Sequence, residues 1–370
     1  MNSPNRNEHE PLAFVLGGLN YGGAERVASH LIRKWQEQGR HLTLISRRGP
    51  ENDFYSLPDG IPRRDLGGEG PSANKITALL KNLPYIFRLR RAIKSTEATV
   101  VLSFLTKTNI HTILACIGLG KKVVISERND TTRQNYPWPW PLLRKWVYRF
   151  ADIVTANSEI ALAGMKEYVP HQKLILVHNP VEMPVSTAEP EKSKMILNVG
   201  RLVPQKAQHL LLEAFARLDD GQKKDWGVEF LGDGPELNRL KEAARELAIS
   251  GQVTFRGLVK NPSETYKRAA IFVLCSEYEG TPNALLEAMS FGLPSVVSDS
   301  LPGAIEQIEH GENGWIFHFG DPDDLAGRLK RLLEAPELRS AMGLKARRKV
   351  QKYSADHVVQ DWNQILDGKL

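Results

Sequence analysis

Glu279 and Glu287 stand eight residues apart in SEYEGTPNALLEAMSFGLPSVVSD. The first falls in the loop after the apolar run AIFVLC. Pro282 then reads as a first-turn residue of a helix that continues through Asn283 and Ala284. Backbone N–H groups at such a start, here around Thr281 to Asn283, are unpaired and can receive a phosphate or a sugar oxygen. Glu287 follows about one and a half turns later, placed to accept hydrogen bonds from two vicinal hydroxyls, as on a ribose. A capping carboxylate plus an exposed helical one is the plainer alternative. In GRLVPQKAQHLLLEAF, Arg201 leaves the strand-like MILNVG, and Lys206 comes five residues later. A forked guanidinium and an ammonium in that place can clamp a diphosphate. Cations fixed where negative charge grows on a leaving group favour the transition state over the ground state. Solvated surface charges are the alternative. Gly232, Asp233 and Gly234 make a strand-exit turn in EFLGDGPEL, and Gly257 with Leu258 makes another after QVTFR. Both corners are as readily structural as ligand-facing.

The first half holds its own polar corners. Gly22 and Gly23 in NYGGAERV lie between a strand and a helix, where glycine permits close approach of a ligand and the helix start favours an anion. A structural glycine turn is the alternative. GGLNYGG lacks GxGxxG spacing, and no acidic residue ends HLTLIS, so this is not the dinucleotide fingerprint. In KKVVISERND, the run Glu127, Arg128, Asn129 and Asp130 is expected to leave a strand end directly into a cleft. An ordinary charged loop is the competing reading. Arg128 stays charged at neutral pH and cannot serve as a neutral base. His178 and Asn179, which end KLILVHN, are given a supporting structural role.

These corners need a scaffold of alternating strands and helices. PLAFVLGG, HLTLIS, ATVVLSF, KKVVIS, ADIVTAN and KLILVHN read as strands of a first half, with AERVASHLIRKWQEQG as an amphipathic helix after the first. MILNVGR, GVEFLGDG, QVTFRG, AIFVLCS and PSVVSD open a second series. The pattern predicts α/β architecture, two doubly wound parallel-sheet domains facing a central cleft, with ligands at the carboxyl ends of the strands. The expected parts are a loose tail at 1–10, a first domain at 11–185 and a linker at 186–193. A second domain follows at 194–350, then a helix at 351–370 that packs back toward the first.

The segments EGTPNALLEAMSFGLPSVVSD, GRLVPQKAQHLLLEAF, LGDGPEL and HGENGWIF together resemble the large retaining glycosyltransferase family 4, which has the two-Rossmann GT-B fold. The resemblance covers nearly the whole chain. It implies that Glu287 holds the donor ribose and that Arg201 and Lys206 hold the diphosphate. It further implies that Glu279, with the amides around Thr281 to Asn283, meets the donor sugar. The loop of Gly22 and Gly23 would lie beside the donor phosphate and the acceptor. The family retains anomeric configuration and generally uses no metal, which agrees with the lack of a convincing His/Asp cluster in this chain. No cofactor is expected, the nucleotide diphosphate sugar being a co-substrate. Two departures stand out. Ala207 replaces a glycine common after the lysine, and Arg128 stands where many members have histidine. The second favours a same-face reaction in which the leaving phosphate helps deprotonate the acceptor; a covalent intermediate on Glu127 or Glu279 stays open.

SFLTKTNIHTILACIGL followed by VVISERND also resembles a bacterial subgroup that extends oligosaccharides on undecaprenyl diphosphate, including by processive addition of N-acetylgalactosamine. KITALLKNLPYIFRLRRAIK and YPWPWPLLRKWVYRF interleave cations with large apolar groups, a mixture suited to an anionic lipid surface or to an ordinary amphipathic helix. The net charge of +6 is modest, and no zinc spacing or nucleic-acid recognition element appears, so nucleic acid is not an expected partner. No apolar stretch is long enough to span a bilayer, and Cys116 and Cys275 lie among apolar neighbours as free thiols. The expectation is a cytoplasmic enzyme at the inner face of a bacterial inner membrane. It would move a hexose or N-acetylhexosamine, from a UDP-sugar in preference, to a polyprenyl-diphosphate-linked glycan. A soluble sugar or sugar phosphate as acceptor, and a non-catalytic nucleotide-sugar sensor, are the rivals.

Overall fold

The computed structural model describes residues 9–67, 75–134, 136–184 and 193–369. Most of the expected tail at 1–10, and all but the last residue of the expected linker at 186–193, lie outside the described residues, as do the side chains of Lys75 and Lys81. The chain divides into two units, Met1–Pro180 with Ala355–Leu370, and Val181–Ser354. The second unit therefore starts thirteen residues before, and ends four residues after, the 194–350 read from the sequence. Pairing at its margin explains this, because Val181 N–H donates to Tyr353 O at 2.9 Å and ties both chain crossings to that unit.

Unit 1 is built on seven strands: β1 (Leu12–Leu16), β2 (Leu42–Ser46), β3 (Arg63–Asp65), β4 (Val100–Phe104), β5 (Lys122–Glu127), β6 (Ile153–Ala156) and β7 (Leu174–Leu176). Their order is β3-β2-β1-β4-β5-β6-β7, every pair parallel. Unit 2 has β8 (Met195–Val199), β9 (Gly227–Leu231), β10 (Val253–Phe255), β11 (Ile271–Leu274), β12 (Ser295–Ser298) and β13 (Gly314–Phe317), in the order β10-β9-β8-β11-β12-β13, again all parallel. Central strands such as LAFVL and IFVL are buried at every position, because helices cover both faces of a parallel sheet. The order reverses between β1 and β4 in unit 1 and between β8 and β11 in unit 2. Those two switch points are where doubly wound sheets open a ligand crevice at their carboxyl edge.

Helix α1 (Gly23–Glu37) follows β1 and buries Val27, Leu31 and Trp35 at helical spacing. Helices α2 (Lys75–Lys94), α3 (Thr106–Cys116) and α4 (Trp140–Val147) pack in sequence, α3 against both others. The C-terminal helix Ala355–Leu366 packs on α1 within unit 1. Its Trp362 lies 6.4 Å from Trp35 and 5.9 Å from Phe104, centroid to centroid.

A polar clasp fastens that helix. Asp367 Oδ1 lies 2.9 Å from Arg40 Nη1 and accepts from the Glu10 N–H at 3.0 Å, while Oδ2 is 2.8 Å from His9 Nδ1. Asn363 Oδ1 accepts from Trp35 Nε1 at 3.0 Å and Arg40 Nη2 at 2.9 Å. Burial pushes the Asp367 carboxyl up, but the contacts with His9, the Glu10 amide and Arg40 outweigh it and hold the group below its ordinary value of 3.8. A depressed folded value means that the contribution is complete above the unfolded value and is lost as pH falls through the folded one. Asp367→Asn leaves a buried guanidinium uncompensated and should cost about 3 kcal/mol at pH 7. In urea titrations the gap from wild type should narrow below about pH 4; an unchanged gap there refutes the clasp as an ionic one.

Candidate functional site

At the switch point of unit 2 the chain leaves β8 at Gly200 and β11 at Cys275, and the two exits are stitched together. Gln205 O accepts the Glu277 N–H at 2.8 Å, and Gln205 Nε2 donates to Tyr278 O at 2.5 Å. This brace sets Lys206 Nζ 2.6 Å from Glu279 Oε2, while Ser276 Oγ donates to Glu279 Oε1 at 2.6 Å. The two charged side chains are only 14% and 16% exposed, so water screens the pair far less than a surface one. Glu279 is thus held at both oxygens. Lys206 has three donors, and this ion pair occupies one direction of them.

A tight turn aims Lys206. Pro204–Lys206 is a single 3-10 turn closed by Ala207 in the left-handed region, at φ 46° and ψ 38°. A non-glycine residue pays about 1–2 kcal/mol there, and a β-branched one more. Ala207 is buried, so Ala207→Gly trades relief of that strain against a lost methyl contact and should stay within about 1 kcal/mol of wild type. Ala207→Val should lose about 2 kcal/mol or more, read by thermal unfolding. Equal stability of the two variants would show that the turn is not constrained.

Arg201 begins the same loop, with its side chain exposed and its carbonyl accepting from Gln208 Nε2 at 3.0 Å. Leu202 N–H donates to Asp233 O at 2.9 Å. A Cβ on Gly234 would meet Leu202 O at 2.2 Å, so only glycine lets this turn close on the Arg201 loop. Gly232 N–H donates to Gly257 O at 2.8 Å, and Gly257 has φ +68°, with Leu258 exposed beside it. Gly232, Gly257 and Leu258 therefore form one corner at the carboxyl ends of β9 and β10. The helix carrying Glu287 spans Asn283–Ser290. Pro282 is its N-cap in extended conformation, so the helix starts one residue later than the first-turn reading of Pro282 expects. Thr281 is buried, and Asn283, Ala284 and Glu287 are half-buried.

In unit 1, Gly22 is the extended N-cap of α1 and Gly23 its first residue, at the carboxyl end of β1 beside the switch point. Residues 127–130, expected to leave a strand end into a cleft, do follow the end of β5 and are mostly enclosed. Glu127 is the last residue of β5 and fully buried, Arg128 and Asp130 are buried, and only Asn129 is exposed. Tyr148 OH and Thr106 Oγ1 both donate to Glu127 Oε1, the latter at 2.7 Å. Burial holds the Glu127 carboxyl above its usual range despite those donors. This geometry speaks against Glu127 as a nucleophile. The Arg128 guanidinium lies 4.7 Å over the Phe104 ring and donates from Nη2 to Asn179 Oδ1 at 2.6 Å. Burial draws it down to about 9, so it keeps its charge at neutral pH. Leu105, between Phe104 and Thr106, has φ 75°, a strained conformation for leucine.

Sequence reasoning missed the groups that fix these residues: Gln205 and Ser276 in unit 2, Thr106, Arg144 and Tyr148 in unit 1. Gln205 beside Lys206 was the one local signal. The outer surface of α2 to α4 is also distinctive. Apart from Leu258 and Leu344, every exposed large hydrophobic side chain among the described residues lies between Leu83 and Phe150. Phe87 is 68% exposed and Trp146 58%, with Arg88, Arg91, Lys145 and Arg149 exposed around them. No helix among the described residues is long and apolar enough to cross a membrane.

Residues 21–183 match the family model Glycosyltransferase Family 4, and residues 182–349 match Glycosyl transferases group 1. A Campylobacter jejuni protein named GalNAc-alpha-(1->4)-GalNAc-alpha-(1->3)-diNAcBac-PP-undecaprenol alpha-1,4-N-acetyl-D-galactosaminyltransferase is 28% identical over 359 residues, covering 96% of this chain and 98% of its own. The lipopolysaccharide 1,6-galactosyltransferase of Salmonella typhimurium is 25% identical over 342 residues, 87% of this chain and 89% of its own. The crystal structure of Anabaena HepE in complex with UDP superposes with a TM-score of 0.80 at 17% identity, covering 97% of this chain and 100% of that one.

Proposed function

The chain belongs to the glycosyltransferases, family 4 in its N-terminal half and group 1 in its C-terminal half, with the GT-B fold, and from that premise we propose that it transfers a hexose or N-acetylhexosamine, with retention, from a UDP-sugar to a polyprenyl-diphosphate-linked or lipopolysaccharide-type glycan. The observation that carries this reading is the Lys206 and Glu279 pair, 2.6 Å apart and part-buried at the unit 2 switch point. In the reaction, the bond from the sugar anomeric carbon to the diphosphate oxygen breaks, and charge builds on that oxygen. Lys206 and Arg201 stabilise it, serving in place of a metal ion. Glu279 faces the cationic sugar. The acceptor oxygen attacks from the same face, and its proton passes to the departing phosphate oxygen. Glu287 and the Gly232, Gly257 and Leu258 corner bind the nucleoside. Arg128 holds an anionic group of the acceptor.

The acceptor class rests on the relatives named for undecaprenol-linked and lipopolysaccharide substrates, and on the surface of α2 to α4. Aromatic rings with cations around them suit the headgroup layer of an anionic bilayer. Both support a working site at the cytoplasmic face of a bacterial inner membrane. Incubating UDP-, GDP- and ADP-sugars with a polyprenyl-diphosphate glycan, with mass spectrometry and NMR of the product, tests the chemistry. A UDP-sugar should be consumed with its anomeric configuration kept; an inverted product rejects the mechanism. Co-sedimentation with phosphatidylglycerol vesicles tests the surface. Trp146→Glu with Phe87→Glu should weaken binding by about tenfold or more, and wild-type protein that stays in the supernatant rejects the docking reading.

A further inference from the structure

Helix α4 has two faces with different tasks. Leu142, Lys145, Trp146, Arg149 and Phe150 point outward on the helix and the turn that follows it, and Arg149 lies 4.6 Å over the Trp146 ring. Arg144 and Tyr148 are buried on the opposite side. Both reach the corner that follows β5. Arg144 Nη2 donates to Thr131 O at 2.9 Å, and Nη1 to Gln134 Oε1 at 3.4 Å. Tyr148 OH donates to Glu127 Oε1 and accepts from Asn109 Nδ2 at 3.2 Å. Thr106 Oγ1 joins the same carboxylate, and Asn109 Nδ2 also donates to Ser126 O at 2.9 Å. The corner between Glu127 and Thr131 contains Arg128, whose guanidinium rests on Phe104 and Asn179.

We infer that Arg144 and Tyr148 are positioning residues through which a lipid surface bound to the outer face of α4 sets the Arg128 corner and raises turnover. This rests on the docking reading above. A two-turn helix is stiff, so a displacement of its outer face moves its inner face by the same amount. The inner contacts are buried and directional, and a shift of a few tenths of an ångström redistributes them rather than being absorbed by water. The adjoining junction of β4 and α3 is strained at Leu105, φ 75°, which sits between Phe104 and Thr106. Small shifts there change how Arg128 meets an anionic group of the acceptor. Tyr148 and Arg144 touch neither substrate in this account; they act through Glu127, Thr131 and Gln134.

The test uses the full chain, a UDP-sugar and a water-soluble, short-chain polyprenyl-diphosphate glycan. Turnover is measured with and without acceptor-free phosphatidylglycerol vesicles, with phosphatidylcholine vesicles as control. Wild type should be stimulated by about fivefold or more. Tyr148→Phe, which keeps the ring and loses only the hydroxyl, should co-sediment with vesicles as wild type does, keep its donor KM, and lose most of the stimulation. Arg144→Gln should do the same, and it serves as the second variant if one of the two fails to fold by circular dichroism. Variants that bind vesicles and remain fully stimulated overturn the inference. Wild type that binds vesicles without stimulation overturns it while leaving the docking surface intact. Wild type that binds no vesicles overturns both.

Discussion

Glu279→Gln should lower kcat by about 100- to 1,000-fold while donor affinity stays within a few-fold of wild type or tightens. Glutamine keeps the size of the side chain and an oxygen for the Ser276 hydroxyl, which donates at 2.6 Å. It loses the charge that neutralises Lys206 at 2.6 Å. The freed ammonium then attracts the diphosphate more strongly in the ground state. The cationic sugar of the transition state loses its facing anion, so the two effects part company. Calorimetry with UDP and steady-state turnover measure them separately. A donor affinity that falls in step with turnover would show Glu279 to be a scaffold for the loop.

Lys206→Met should reduce kcat/KM for the donor by about a thousandfold or more. Two losses combine: the cation on the leaving oxygens is gone, and Glu279 is left without its partner and repels the arriving diphosphate. The signature is non-additivity. Adding Glu279→Gln to Lys206→Met should restore part of the donor affinity, because the repulsive charge disappears with it. On the proposed mechanism, in which side chains supply the stabilising charge, wild-type turnover should persist in EDTA. Strictly additive effects in the double variant would separate the two residues and end the proposal that they act as one device.

Much of this was legible in the chain because of where charge meets strand ends. β1 and β11, LAFVL and IFVL, announce themselves as unbroken apolar runs, and Glu279 follows the second of them closely. Two strands were not legible. β3 is RRD, mostly exposed, and becomes a strand only through backbone pairing with β2, Leu44 opposite Arg63. β13 is a four-residue GWIF after a glycine-bearing turn, too short to show a period. The contact between Lys206 and Glu279, and the Gln205 brace beneath it, join segments distant in sequence, and no local pattern encodes such contacts. The enclosure of Glu127 was not legible for a related reason. A charged residue at a strand end looks like the start of a loop until Tyr148 and Thr106, brought from other elements, enclose it.

The return of the C-terminal helix to unit 1 has a consequence for the order of assembly. Val358, Trp362 and Ile365 share one apolar cluster with Phe14, Trp35 and Phe104. A ribosome delivers residues 355–366 only after all of unit 2, Val181–Ser354, so that cluster stays incomplete while unit 2 emerges. Unit 1, whose first residues emerge before those of unit 2, therefore cannot close this cluster until unit 2 has been made.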